Sequence, residues 1–204
     1  MTAEHPRLIV GISGASGAVY GVRLLQALRK ARVESHLVIT RAGQMTLTQE
    51  TSLKLADIAA LADHVYGDQD IGAAISSGSF ATSGMIVAPC SVRTLSEIAY
   101  GTTGNLVSRA ADVVLKERRR LVLLLRETPL HLGHLRAMTA VTEMGAIVYP
   151  PVPAFYAQPA SIEQMVDHTI GRVLDLFEID SDGVSRWEGM RSGPAPVESI
   201  RRRT

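Results

Sequence analysis

The chain has 204 residues, 46% hydrophobic and 20% charged, with a net charge of +1. That length suits one domain with a substantial core, and the near-neutral balance leaves no basic face of the kind a nucleic-acid binder needs. A single cysteine, Cys90, excludes an intrachain disulfide and fits a reducing compartment; no apolar run approaches the roughly 20 residues that span a bilayer.

Short apolar runs alternate with longer amphipathic ones. RLIVGI, over 7–12, is rich in branched residues without strict alternation, as a strand covered on both faces should be. Its LIVGI stretch is too short for the apolar segment of a secretory signal and runs into glycines, so a cytoplasmic protein is expected. A glycine-rich loop follows, then a predicted helix over 17–31, a strand over 35–39 and a helix over 42–50. SSGSFATSG, over 76–84, reads as a long small-residue loop and a candidate mobile rim. A strand over 84–88 leads to helices over 91–99 and 105–118. Then come a strand over 121–125, a helix over 131–144, a strand over 146–149 and a last helix over 161–177. Beyond about residue 180 the apolar periodicity stops. Residues 1–189 are therefore read as the domain and 190–204, ending in RRRT, as a disordered tail, with RWEGM at 186–190 the one stretch there able to pack.

This alternation predicts an α/β fold, a parallel sheet with helices on both faces. Ligands of such sheets sit at the carboxyl ends of the strands. That rule selects residues 13–17, 40–41, 89–94, 126–129 and 150–156.

The glycine spacing is Gly11-x-x-Gly14-x-x-Gly17. It is neither the dinucleotide fingerprint nor a phosphate-binding Walker loop. Thr40-Arg41 stands where a dinucleotide fold would carry an acid for the ribose, which disfavours NAD. The loop serves either a mononucleotide phosphate at the helix N-terminus or only a tight strand–helix turn. Ser13, in GISGA, misses the nucleophile-elbow frame. His131 and His134 lack an acidic or thiol partner at ligand spacing, so no metal is expected there. Cys90 reads as a small buried residue at a strand end.

A second group of charges is more informative. Arg109 and Lys116 are seven apart, on one predicted helical face. Arg126, Tyr156, Arg172 and Lys116 are candidates to converge on an anion. Arg109, Asp112 and Lys116 also read as ordinary surface pairs. That reading suits Arg126 and Glu127 less well, because they follow directly on a buried strand, where unpaired charge is costly.

LIVGISGASGAVYGVRLLQALR, ISSGSF, PCSVRTL, RAADVVLKERR, RETPLHLGHLR and PPVPAFY closely resemble the UbiX-type flavin prenyltransferases, from about residue 7 to residue 189. The resemblance implies a single-domain Rossmann-like, flavodoxin-like parallel sheet. It implies joining of the dimethylallyl group of dimethylallyl phosphate to reduced FMN at N5 and C6. It further implies a UbiD-type decarboxylase as recipient of prenylated FMN, and a homododecamer. Matched by motif, Gly14, Ala15 and Ser16 resemble the FMN-phosphate loop. Thr40 stands at a position usually occupied by serine. Ser91, Val92, Arg93, Thr94 and Arg126 resemble the other FMN contacts, and Arg109 is placed with them. Tyr156 and Arg172 resemble the dimethylallyl-phosphate ligands, beside Lys116 and Glu127. Glu50 matches a carboxylate near the flavin, and Trp187 a tryptophan that closes over the site. Ser16, Glu50, Lys116 and Glu127 form the expected catalytic set. The chain has no adjacent Asp pair of the kind that holds Mg²⁺ for prenyl diphosphates, so metal-free transfer is expected. Two alternatives stand beside this reading. One is an FMN-dependent decarboxylase of the cysteine-decarboxylating type, against which PCSVRT carries Arg93 in place of an asparagine. The other is a non-catalytic flavin carrier.

Overall fold

Six parallel strands form one sheet in the order β3-β2-β1-β4-β5-β6. They are β1 (Arg7–Ile12), β2 (Glu34–Ile39), β3 (His64–Tyr66), β4 (Gly84–Cys90), β5 (Arg120–Leu125) and β6 (Ile147–Val148). The helices are α1 (Val19–Lys30), α2 (Arg41–Glu50), α3 (Leu55–Ala59), α4 (Val92–Ala99), α5 (Leu106–Lys116), α6 (Leu132–Glu143) and α7 (Ile162–Asp175). The computed structural model describes residues 6–181, with Arg186 and Gly189. The tail expected over 190–204 and Trp187 lie outside the described residues. No helix among the described residues is long and apolar enough to cross a membrane.

The branched runs become strands because each buries both faces. In β1, Leu8, Val10 and Ile12 pack into one apolar layer with α1 and α7. Ile9 points the other way, into a layer with α4, α5 and α6. Two buried faces remove the polar–apolar alternation of a half-exposed strand. The strand order reverses between β1 and β4. In a parallel sheet that reversal opens a crevice beyond the carboxyl ends of those two strands.

Helix starts fall one residue inside the predicted ones at α4, α5, α6 and α7, for one physical reason. Ser91, Asn105, His131 and Ser161 are N-caps, each accepting a backbone N–H two or three residues on. β3 and α3 escape the sequence reading, being three and five residues long. The 76–84 segment is a loop, but it is not a rim of the ligand end. It feeds the amino end of β4. The Arg119 guanidinium ties it down, donating to the carbonyls of Phe80 and Gly78 at 2.7 Å each.

Candidate functional site

Ser13 fastens the crevice between β1 and β4. Its hydroxyl donates to the Pro89 carbonyl at 2.8 Å and accepts the Ser91 N–H at 2.7 Å. Buried and doubly bonded, Ser13 holds two strand ends in register and is no nucleophile.

Two helices begin at this crevice. Thr40 caps α2, its hydroxyl accepting the Gly43 N–H at 3.0 Å. Ser91 caps α4, accepting the Thr94 N–H at 3.2 Å and donating to the Thr94 hydroxyl at 3.2 Å. Gly14, Thr40, Arg41, Ala42, Ser91 and Thr94 line a common cavity of about 230 Å³. Two helix N-termini and three hydroxyls facing one space suit an anion, and a phosphate monoester above all.

Gly14 is needed here on steric grounds: a Cβ on it would stand 2.4 Å from the Cβ of Ala42. Its bare backbone lets the first turn of α2 close against the loop. Gly17 has φ +97°, a left-handed conformation that favours glycine.

Asp68 also lines the cavity, and nothing in the sequence marks it. Its Oδ1 is buried without a hydrogen-bond partner. Burial pushes its carboxyl above the usual carboxylate range, against the Arg41 backbone N–H and the Gln69 side chain, which pull it down. An acceptor left unsatisfied in a phosphate-sized cavity fits a ligand that carries hydroxyl donors next to its phosphate. The ribityl phosphate of FMN has that chemistry.

The N-terminus of α1, where the glycine loop alone would put a phosphate, holds a side chain instead. Glu50 occupies that place. Its carboxylate accepts the N–H groups of Gly17 and Ala18 at 2.8 and 2.9 Å, and it also takes a hydrogen bond from Ser16. Burial alone would raise the Glu50 pKa. The bonds from Ser16, Ala18 and Gly17, with the charge of Arg126, hold it below the ordinary glutamate value. Ser16, Glu50 and Arg126 thus form one group on the loop side of the crevice.

A carboxyl with a depressed folded pKa adds stability above its unfolded value and loses it as pH falls through the folded one. Glu50→Ala is therefore expected to cost about 1 kcal/mol at neutral pH, the usual size of a lost N-cap. The deficit should shrink below the glutamate range, where wild type loses the same contribution. Urea unfolding from pH 7 down to pH 3 checks this, and an unchanged deficit at low pH contradicts it.

Arg126 is exposed and Glu127 half-buried, its Oε1 accepting the Thr128 N–H at 2.9 Å. Neither stands in the buried setting expected of charges that follow directly on a buried strand. In fact β5 ends at Leu125 and the chain emerges there. Arg93 lines the cavity mouth with an 84% exposed side chain, paired to Glu97 at 3.0 Å, beside Val92 on the first turn of α4. Arg109 pairs with Asp112 at 2.8 Å and does not line the cavity.

Of the residues expected to converge, Lys116, Arg126, Tyr156 and Arg172, it is Lys116 that stands apart within one chain. Lys116 ends α5, at the amino end of β5, where its Nζ meets Glu117 at 2.5 Å against the Gly78 loop. Arg126 lies beyond the carboxyl end of the same six-residue strand, roughly 20 Å away. Arg172 lies by the carboxyl end of β6, where the Tyr149 N–H donates to the Leu123 carbonyl of β5 at 2.8 Å. It pairs with Asp175 at 2.6 Å, near Tyr149, whose hydroxyl burial pushes up, Arg172 pulls down, and Tyr156 and Asp175 push up. Tyr156 sets its ring edge-on to His168, centroids 5.8 Å apart. Tyr156 and Arg172 thus sit together, with Tyr149 as an unforeseen neighbour.

A cavity of about 490 Å³ lies between α1, α7 and the 154–159 segment. Its main charges, Arg23 and Asp167, are paired with each other. It lacks the converging helix ends of the smaller cavity.

The flavoprotein family model matches residues 1–174. The flavin prenyltransferase UbiX of Escherichia coli K12 is 57% identical over 186 residues, covering 90% of this chain and 98% of that protein. The Thauera aromatica flavin prenyltransferase UbiX is 51% identical over 183 residues, covering 90% and 94%. Among solved structures, AnUbiX (PadA1) in complex with FMN and dimethylallyl pyrophosphate has a TM-score of 0.91 and 48% identity, covering 92% of this chain and 100% of the other. A dodecameric FMN-dependent UbiX-like decarboxylase from Escherichia coli O157:H7 has a TM-score of 0.88 and 50% identity, covering 90% and 100%. The FMN-dependent cysteine decarboxylase SpaF, at a TM-score of 0.57 and 15% identity, shares the fold alone. With a phosphate-sized crevice at the switch point and half its residues in common with these proteins over nine-tenths of its length, the chain belongs to the UbiX-type flavin prenyltransferases.

Proposed function

We propose that the chain joins the dimethylallyl group of dimethylallyl phosphate to N5 and C6 of reduced FMN, yielding prenylated FMN for a UbiD-type decarboxylase in the cytoplasm. The observation that carries this is the meeting of the α2 and α4 N-termini at one phosphate-sized cavity beside an unsatisfied Asp68.

When bound, reduced FMN supplies an electron-rich ring as the prenyl acceptor. The chain supplies the setting. Thr40, Ser91, Thr94 and the first amides of α2 and α4 hold the flavin phosphate. Gly14 and Ala15 form the wall behind it. Ser16, fixed by the ionised Glu50, faces the reacting side with Arg126 next to it. Tyr156 and Arg172 hold the departing phosphate, where a cation aimed at developing charge lowers the barrier. Glu127, half-buried beside Arg126, is placed to handle a proton. Lys116 joins them from a neighbouring copy, in a homododecamer like that of the related Escherichia coli protein.

Basic side chains replace a metal in this scheme. Enzyme, reduced FMN and dimethylallyl phosphate, mixed without oxygen in the presence of EDTA, should yield a flavin heavier by one dimethylallyl unit in mass spectrometry. A flavin of unchanged mass rejects the transfer, and a strict need for Mg²⁺ rejects neutralisation by side chains alone.

A further inference from the structure

At the opposite end of the sheet the fold assembles a group that plays no part in this chemistry. β2 and β3 pair in parallel with His36 opposite His64 and Val38 opposite Tyr66. Parallel neighbours in register share a face, and residues two apart on a strand share it too. Glu34 and His36 of β2 therefore stand beside His64 and Tyr66 of β3. The His36 side chain is 2% exposed, while that of His64 is 51% exposed on the edge strand.

Glu34 Oε1 lies 3.2 Å from Nε2 of His36 and 3.2 Å from Nε2 of His64. Arg7 Nε donates to the other oxygen, Oε2, at 3.0 Å, which leaves Oε1 to the imidazoles. The three candidate ligand atoms lie within 4.8 Å of one another. A tetrahedral zinc with arms of about 2.0 Å separates its ligand atoms by about 3.3 Å. Both carboxylate–imidazole spacings already match that edge.

The surroundings fit as well. Ligating histidines commonly hold their second ring nitrogen in a hydrogen bond that fixes the tautomer. His36 Nδ1 stands 2.9 Å from the Tyr66 hydroxyl.

We propose that Glu34, His36 and His64 form a zinc-class divalent cation site, with Tyr66 orienting His36 and solvent completing the coordination. The His36 and His64 rings stack, centroids 4.6 Å apart and 13° from parallel, so their lone pairs do not yet converge. The exposed His64 ring turns to bring its Nε2 onto the ion. His36 ligates through Nε2, with its Nδ1 proton held by the Tyr66 oxygen. The ion ties the three-residue edge strand β3 to β2, far from the phosphate crevice.

The test uses tag-free protein and Zn²⁺ alone, titrated against a chromophoric chelator. One Zn²⁺ per chain is expected at the site, with a rise in melting temperature on loading, because a ligand of the folded state stabilises it. His64→Ala should weaken binding at least tenfold and abolish that rise. Its exposed position spares the core, and Glu34→Gln, which keeps the side-chain shape, should act in the same direction. Cobalt in place of zinc should give the visible bands of a four-coordinate ion. His131→Ala/His134→Ala, which removes the stacked histidine pair at the start of α6, should bind as wild type does. No stoichiometric zinc, equal binding by His64→Ala and wild type, or binding lost with the α6 pair would each overturn the proposal.

Discussion

Gly14→Val is expected to weaken FMN binding by about 10- to 10²-fold while leaving the sheet folded. The first Cβ would already stand 2.4 Å from the Ala42 Cβ and 3.2–3.3 Å from Ala42 backbone atoms. Valine adds two methyl groups to that collision. Overpacking of this kind costs about 1–3 kcal/mol, and every 1.4 kcal/mol is tenfold in affinity. The strain falls on the first turn of α2, which carries the Thr40 cap and half of the anion-binding amides. Titration with FMN, followed by flavin fluorescence, measures the loss; circular dichroism checks the fold. Gly14→Ala should be milder, and Gly14→Ala with Ala42→Gly milder still, because the Cβ–Cβ clash is then removed and only the contacts above 3 Å remain. If Gly14→Val binds FMN as wild type does, the α2 N-terminus is not part of the phosphate site.

The reason glycine is required at position 14 was legible only in part. Its place at the end of β1 follows from the apolar run before it, and the strand-end rule picked out the residues that line the crevice. Thr40 and Ser91 fall among the residues that rule selects, but their capping of α2 and α4 shows only in the structure. What the sequence hides is long-range closure. Glu50 sits 33 residues from Gly17, and no periodicity says that its carboxylate caps α1. Asp68 lies in an irregular segment after a strand too short to recognise. Glu34, His36 and His64 become neighbours only through the β2–β3 register. Lys116 is set apart from the second anion cluster for a related reason. Helical spacing correctly put Arg109 and Lys116 on one face of α5, but the following strand then carried Arg126 and Glu127 to the far end of the sheet.

That separation makes the subunit arrangement testable through activity. Lys116→Ala and Arg172→Ala are each expected to slow prenyl transfer by about 10²–10³ while FMN stays bound, as for other lost donors to developing charge. Within one chain, Lys116 lies roughly 20 Å from Arg126 and Glu127, so it serves their site only from another copy. Take Lys116→Ala and Glu127→Gln, each nearly inactive by itself, and assemble mixed oligomers from equal amounts of both. Were the two residues to work within a single chain, every chain would lack one of them and no site would be whole. Working between copies, a site is whole when its own chain keeps Glu127 and its neighbour keeps Lys116. Each condition holds with even odds in a symmetric assembly filled at random, so about a quarter of the sites should be active. Recovery near that fraction, read as prenylated flavin formed per bound flavin, supports a site built across subunits. A mixture as inactive as its parents removes Lys116 from the shared site. Loss of FMN from the Lys116→Ala protein would instead assign that residue to holding the flavin.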